Sequence, residues 1–142
     1  MATLMVDTDV YSYAIATNPR RGTPYKRHLE GNLIALSFIT VGELYAGYER
    51  MINKGSWPED RLKELESRLV SVTVVPYDAG ICRTFGKLKY SIKNPDGSDR
   101  TLAPNDLWIA ASAVHHGLTL VTNNAKHFAR VPGLTIITES GR

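Results

Sequence analysis

Short apolar runs rich in β-branched residues alternate along this chain with longer stretches of helical period, and that alternation constrains the fold more than any other feature. Five runs read as strands: Thr3 to Val6, Leu33 to Ser37, Val72 to Val75, Leu118 to Thr122 and Leu134 to Thr138. They are built mostly of Leu, Val, Ile and Thr, as strands covered on both faces should be. Repeated βα units call for a parallel sheet. The expected architecture is therefore α/β, a single domain over residues 1–142 with a parallel sheet of about five strands flanked by helices. A chain of 142 residues buries about 68–70% of its unfolded surface, enough for a core without staples.

Punctuation between the strands marks the helices. One follows Asp7 to Asp9 and stops before Asn18-Pro19; a second starts at Thr40 and runs to about Asn53. Pro58 suits the first turn of a third, whose Leu62, Leu65 and Leu69 share a face, while Glu59 with Lys63 and Glu64 with Arg68 are spaced as i,i+4 pairs. Asp78 reads as the N-cap of a helix carrying Ile81, Phe85 and Leu88, and Asn105 as the N-cap of another that ends at Gly117. Between these two, Asn94-Pro95-Asp96-Gly97 opens a polar loop to Pro104, expected to be exposed and mobile.

Composition narrows the class further. Cys82 is the only cysteine, which excludes an internal disulfide and suits a reducing cytoplasm. Asp7 interrupts the N-terminal segment before a signal-peptide core can form, and no stretch approaches the ~18 apolar residues of a membrane span. A net charge of +3 permits a nucleic-acid partner without arguing for one. Basic residues gather in Arg20, Arg21, Lys26 and Arg27, in Lys87, Lys89 and Lys93, and in Lys126 and Arg130; a solvated surface accounts for any one cluster.

The acids are placed more tellingly. Ligands of open α/β sheets bind beyond the carboxyl ends of the strands. Asp7 ends the first strand, Glu43 lies one turn into the helix after the second, and Asp106 opens the helix before the fourth, so all three can face one rim and converge within a few ångströms. Asn124 follows the fourth strand, where Thr122 adds a hydroxyl. Clustered carboxylates repel one another unless a cation sits among them, and Mg²⁺ takes oxygen ligands while retaining waters for phosphate chemistry. A metal-dependent hydrolytic nuclease is the simplest fit. Capping offers each acid another reading: Asp7 or Asp9 at a helix N-terminus, Thr40 with Glu43 as a capping box, Asp106 against a helix dipole. His115 and His116 close a helix, where imidazolium favours the dipole, and Cys82 and the tyrosines Tyr11, Tyr13, Tyr45 and Tyr48 read as packing residues.

Four segments together resemble the PIN-domain ribonucleases, and among them the VapC-like toxins: Leu4-Met5-Val6-Asp7-Thr8-Asp9-Val10, Ser37-Phe38-Ile39-Thr40-Val41-Gly42-Glu43-Leu44, Asn105-Asp106-Leu107-Trp108-Ile109-Ala110-Ala111, and the tail from Leu120-Val121-Thr122-Asn123-Asn124 through His127-Phe128 to Arg130-Val131-Pro132-Gly133-Leu134. The resemblance spans nearly the whole chain in order. It implies a PIN-like domain in which Asp7, Glu43 and Asp106 bind Mg²⁺ or Mn²⁺, with Thr8 and Thr122 as hydroxyl helpers. The family's fourth acidic position falls on the neutral Asn124, which leaves a second ion one charge short. The resemblance further implies cleavage of RNA, often structured RNA such as tRNA, a homodimer, and a cognate antitoxin that blocks the acidic groove. Two rivals stay open: a catalytically silent PIN-like module that binds RNA or protein, and a haloacid-dehalogenase-type phosphatase using Asp7 and Asp9.

Overall fold

The sheet is parallel throughout because each strand returns from a helix laid across one of its faces. The computed structural model describes residues 1–15, 19–98, 100 and 102–139. Its elements run β1 (Thr3–Val6), α1 (Thr8–Ile15), α2 (Pro19–Leu29), β2 (Leu33–Ser37), α3 (Phe38–Asn53), α4 (Arg61–Leu69), β3 (Thr73–Val75), α5 (Ala79–Ser91), α6 (Pro104–His116), β4 (Thr119–Val121), α7 (Ala125–Phe128) and β5 (Ile136–Ile137). The strand order is β3-β2-β1-β4-β5. Met5 pairs with Ala35 on one side and with Leu120 on the other.

Alternate side chains of β1 feed two cores, as the pleat requires. Met5 joins Ala35 and Leu120 against Ile81 and Leu88 of α5 and Ile109 of α6. Leu4 and Val6 join Leu36 and Val121 against Val10 of α1, Tyr25 of α2, Leu44 of α3 and Leu65 of α4. Met5, Val6, Leu36, Leu120 and Val121 are fully buried, so β1, β2 and β4 are covered on both faces as expected, whereas the edge strand β3 leaves Thr73 and Val74 exposed. All five expected strands are present, the last three trimmed at their ends because the pairing there extends over only two or three residues.

The helices hold four surprises. α2 was not foreseen: Pro19, Pro24 and Gly22 mask a helix whose Tyr25 is buried in the second core, with Leu29 one turn on packed against it. α3 starts two residues earlier than the sequence predicts, at Phe38, because Ser37 rather than Thr40 is its cap; the Ser37 hydroxyl accepts from the Ile39 N–H. Thr40 is instead fully buried. α4 begins at Arg61, and Pro58 belongs to the preceding turn, where its carbonyl accepts from the Arg61 N–H. The cap of α6 is Ala103 with Pro104 as the first helical residue, so Asn105 lies inside the helix.

Two expected boundaries stand. Asp78 caps α5 by accepting from the Ile81 N–H at 2.7 Å, and Gly117 ends α6 in the left-handed conformation at φ 64°. The segment after α5 is hydrogen-bonded where described: Asn94 and Gly97 close a turn with Ser98, and the Arg100 N–H returns to the Ile92 carbonyl. Asp99 and the side chains of Arg20 and Arg21 lie outside the described residues. Among the described residues no helix is long and apolar enough to cross a membrane.

Candidate active site

From β1 the chain steps to β2 on one side, while β4 lies on the other, so the carboxyl end of β1 is the switch point of the sheet. Asp7 stands there, its backbone N–H bonded to the Val121 carbonyl of β4 at 3.1 Å. Asp7, Thr8, Asp9, Glu43, Asp106, Ile109 and Asn124 line one cavity of about 70 Å³. The fold thus brings the three expected acids and Asn124 to a single rim. Thr122 is fully buried and borders the cavity through Asp7.

Each acid is held by its own donors. Oδ1 of Asp7 accepts from the Val10 N–H at 2.9 Å, and Oδ2 accepts from the Thr122 hydroxyl at 2.5 Å. Asp7 therefore caps α1 and faces the cavity at once; the two readings coexist. Glu43 makes no capping box. Its Oε1 accepts from the Thr8 hydroxyl at 2.6 Å and its Oε2 from the Asn105 amide at 3.2 Å. Asp106 Oδ2 lies 3.2 Å from Nδ1 of His127, which is also 2.9 Å from the amide nitrogen of Asn124.

Electrostatics single out Asp7. Burial pushes its carboxyl up from 3.8 to about 6; the charges of Asp9 and Asp106 add to the rise, and the bonds from Thr122 and Val10 restrain it. A carboxylate so placed is short of positive charge. The donor set is oxygen-rich and hard, which fits Mg²⁺ or Mn²⁺ better than zinc. Held by their separate donors, Asp7, Glu43 and Asp106 share the cavity without their oxygens drawing as close as the 4.8 Å mutual spacing of the trio Asp78, His115 and His116 elsewhere. The expected convergence is therefore one of shared lining rather than of contact.

Three contributing residues escape the sequence reading. His127 braces Asp106, and the Asn124-to-His127 spacing of three, which aligns residues on a helix face, was the available signal. Asn105 orients Glu43 where a cap was expected. Tyr25, 1% exposed, donates to Asn123 Oδ1 at 2.7 Å and accepts from the Glu139 N–H at 2.9 Å, bracing the segment between Thr122 and Asn124. No local pattern in the sequence announces that last role.

Two segments bearing basic clusters meet at α7. The Arg100 guanidinium donates to the Lys126 carbonyl and Arg130 Nε to the Lys93 carbonyl, tying the segment after α5 to α7. The positive residues of both segments stand next to the helix that carries His127.

Comparison with known proteins agrees with this geometry. The model of the PIN domain family matches residues 4–134. Ribonuclease VapC2 of Haemophilus influenzae is 32% identical over 134 residues, 94% of this chain and 96% of that protein. The tRNA(fMet)-specific endonuclease VapC of Shigella flexneri is 30% identical over 134 residues, with the same coverage of 94% and 96%. Among solved structures, VapBC2 from Rickettsia felis bound to a DNA fragment from their promoter superposes with a TM-score of 0.76 at 29% identity, covering 97% of this chain and 98% of that one. DNA-bound VapBC from Salmonella typhimurium gives a TM-score of 0.77 at 28% identity, with 97% and 98% covered. These matches set aside the phosphatase alternative. An acidic rim at the switch point of a five-stranded parallel sheet, matched in sequence and in fold along nearly its full length, makes this chain a member of the PIN-domain family, alongside the VapC ribonucleases.

Proposed function

We propose that the cavity at the end of β1 hydrolyses RNA phosphodiesters, and that the chain is the toxin of a toxin–antitoxin pair. PIN-domain nucleases generally depend on divalent metal; here Asp7, Glu43 and Asp106 would hold the ion, Mg²⁺ or Mn²⁺, with Asn124 as a neutral fourth group. Bound there, such an ion acidifies a water and offsets charge on the phosphodiester and its leaving oxygen. The chain's own residues do the positioning. Thr122 and the Val10 N–H fix both Asp7 oxygens, Thr8 and Asn105 fix those of Glu43, and His127 steadies Asp106. In this reading Lys93, Arg100, Lys126 and Arg130, drawn together by the bonds of Arg100 and Arg130 to backbone carbonyls, supply positive charge for the RNA phosphates.

The observation that carries this reading is the burial of Asp7 in a cavity that it shares with Glu43 and Asp106. A site that keeps a buried acid among acids, rather than replacing it with an apolar side chain, is built for a cation. The likeness to VapBC complexes supports a small antitoxin covering the acidic rim and RNA, tRNA among the candidates, as substrate. A second copy of the chain as partner, and the cytoplasm as compartment, complete the proposal.

The test is cleavage of total RNA by the purified chain with and without Mg²⁺, followed by mapping of the cut ends. Asp7→Asn and Asp106→Asn are each expected to lower Mg²⁺-dependent cleavage by about 10²–10³-fold with the circular dichroism spectrum unchanged. Undiminished cleavage by either folded variant overturns the mechanism.

A further inference from the structure

The far end of α6 gathers a second set of metal-binding side chains. His115 follows Asp106 by nine positions, about 13–14 Å along the helix, so this set lies apart from the acidic cavity. Asp78, the N-cap of α5, stands between His115 and His116, the last two residues of α6. Nε2 of His115 is 3.6 Å from Asp78 Oδ1, and Nε2 of His116 is 3.5 Å from Oδ2. The three residues each offer a ligand atom within 4.8 Å of the others.

Those separations suit an ion better than hydrogen bonds. Nitrogen and oxygen at 3.5–3.6 Å stand beyond ordinary hydrogen-bond length. The 3.5 Å between His116 Nε2 and Asp78 Oδ2 nearly matches the edge of a tetrahedron with bonds of ~2.05 Å, which is about 3.3 Å. Consecutive residues on a helix normally diverge, yet the two rings lie 4.9 Å apart at 73°, turned toward one carboxylate. A second observation concerns the space His115 occupies. A Cβ on Gly80, in the first turn of α5, would come within 2.1 Å of the His115 ring, so the ring reaches this position only over a bare backbone.

We infer that Asp78, His115 and His116 form a second divalent-cation site, selective for zinc-class ions over Mg²⁺, that clamps the start of α5 to the end of α6. Two imidazoles and one carboxylate are ligands for zinc, whereas Mg²⁺ prefers oxygen alone. Asp78 Oδ1 stays with the Ile81 N–H, which leaves Oδ2 for the ion. Three protein ligands leave a fourth position for water. The site uses none of the residues of the acidic cavity and stands or falls independently of the nuclease reading.

The experiment is a Zn²⁺ titration of the untagged full chain held in millimolar Mg²⁺, read by calorimetry and by thermal melting, with Co²⁺ absorption as a second probe. The wild type is expected to take up one zinc equivalent that Mg²⁺ does not displace, to melt about 5 °C higher at saturating zinc, and to give the intense visible bands of tetrahedral Co²⁺. His116→Gln and Asp78→Asn, the latter retaining a capping side chain, should each weaken that uptake at least tenfold. Gly80→Ala, which favours the helix but displaces the His115 ring, should weaken it too. Equal zinc uptake by wild type and by His116→Gln overturns the inference, as does the absence of any Mg²⁺-resistant equivalent in the wild type.

Discussion

At its N-terminal end α6 presents Asp106 to a narrow cavity walled by oxygen donors; at its C-terminal end it presents His115 and His116 to Asp78 on the surface. The first end buries Asp7 at 6% exposure, and its carboxyl rises to about 6. The second leaves Asp78 partly exposed, where the Ile81 N–H and then the two histidines hold its carboxyl below the ordinary value. One helix thus links an electrostatically strained end, suited to reaction, with a relaxed end, suited to holding. The difference comes from surroundings more than from residue type, since both ends are anchored by an aspartate that caps a helix.

The largest test of that contrast removes the strain. Between the unfolded value near 3.8 and the folded value of about 6, the native state retains a proton that the unfolded state has lost. Stability of the metal-free wild type should therefore rise as pH falls through 6 toward 4, and the full penalty applies above 6. Asp7→Asn is neutral at every pH, so in chelator at pH 8 it should be more stable than the wild type by up to about 3 kcal/mol. The gap should close by pH 4 in denaturant titrations. A variant less stable than the wild type at pH 8 would show that the acidic end carries no strain.

Next comes the brace on Asp106. His127→Ala should lower RNA cleavage about tenfold while leaving zinc uptake at the other end unchanged, the usual consequence of freeing a ligand from its supporting partner. Equal loss at both ends would mean that α6 transmits the change and that the ends are not independent. The smallest effect belongs to the cap of the histidine end. Gly117 sits at φ 64° with open space around it, so Gly117→Ala should cost only the backbone strain, about 1–2 kcal/mol, seen as a lower melting temperature with cleavage unaltered well below it.

What the sequence disclosed and what it hid divide along physical lines. Strand cores were legible because burial on both faces demands unbroken apolar runs such as Leu4 to Val6, and Asp78 and Gly117 because cap geometry is set by the residue itself. The acids were legible because strand order sends every strand's carboxyl end to one rim. α2 was hidden because its two prolines and glycine argue against a helix that tertiary packing of Tyr25 supports anyway. Ser37 displaced Thr40 as the cap of α3 because Thr40 is drawn into the interior. His115 and His116 looked like ordinary dipole partners, since Asp78 comes to them from 37 residues earlier along the chain.

The bond from the Asp7 N–H to the Val121 carbonyl also sets an order of events during synthesis. Asp7 is made 114 residues before the Val121 carbonyl that seats it, and Tyr25 the same 114 residues before Glu139. A growing chain therefore carries Asp7 unseated until Val121 has been made. On the proposed reading as a ribonuclease, this topology delays competence until β4 has been made.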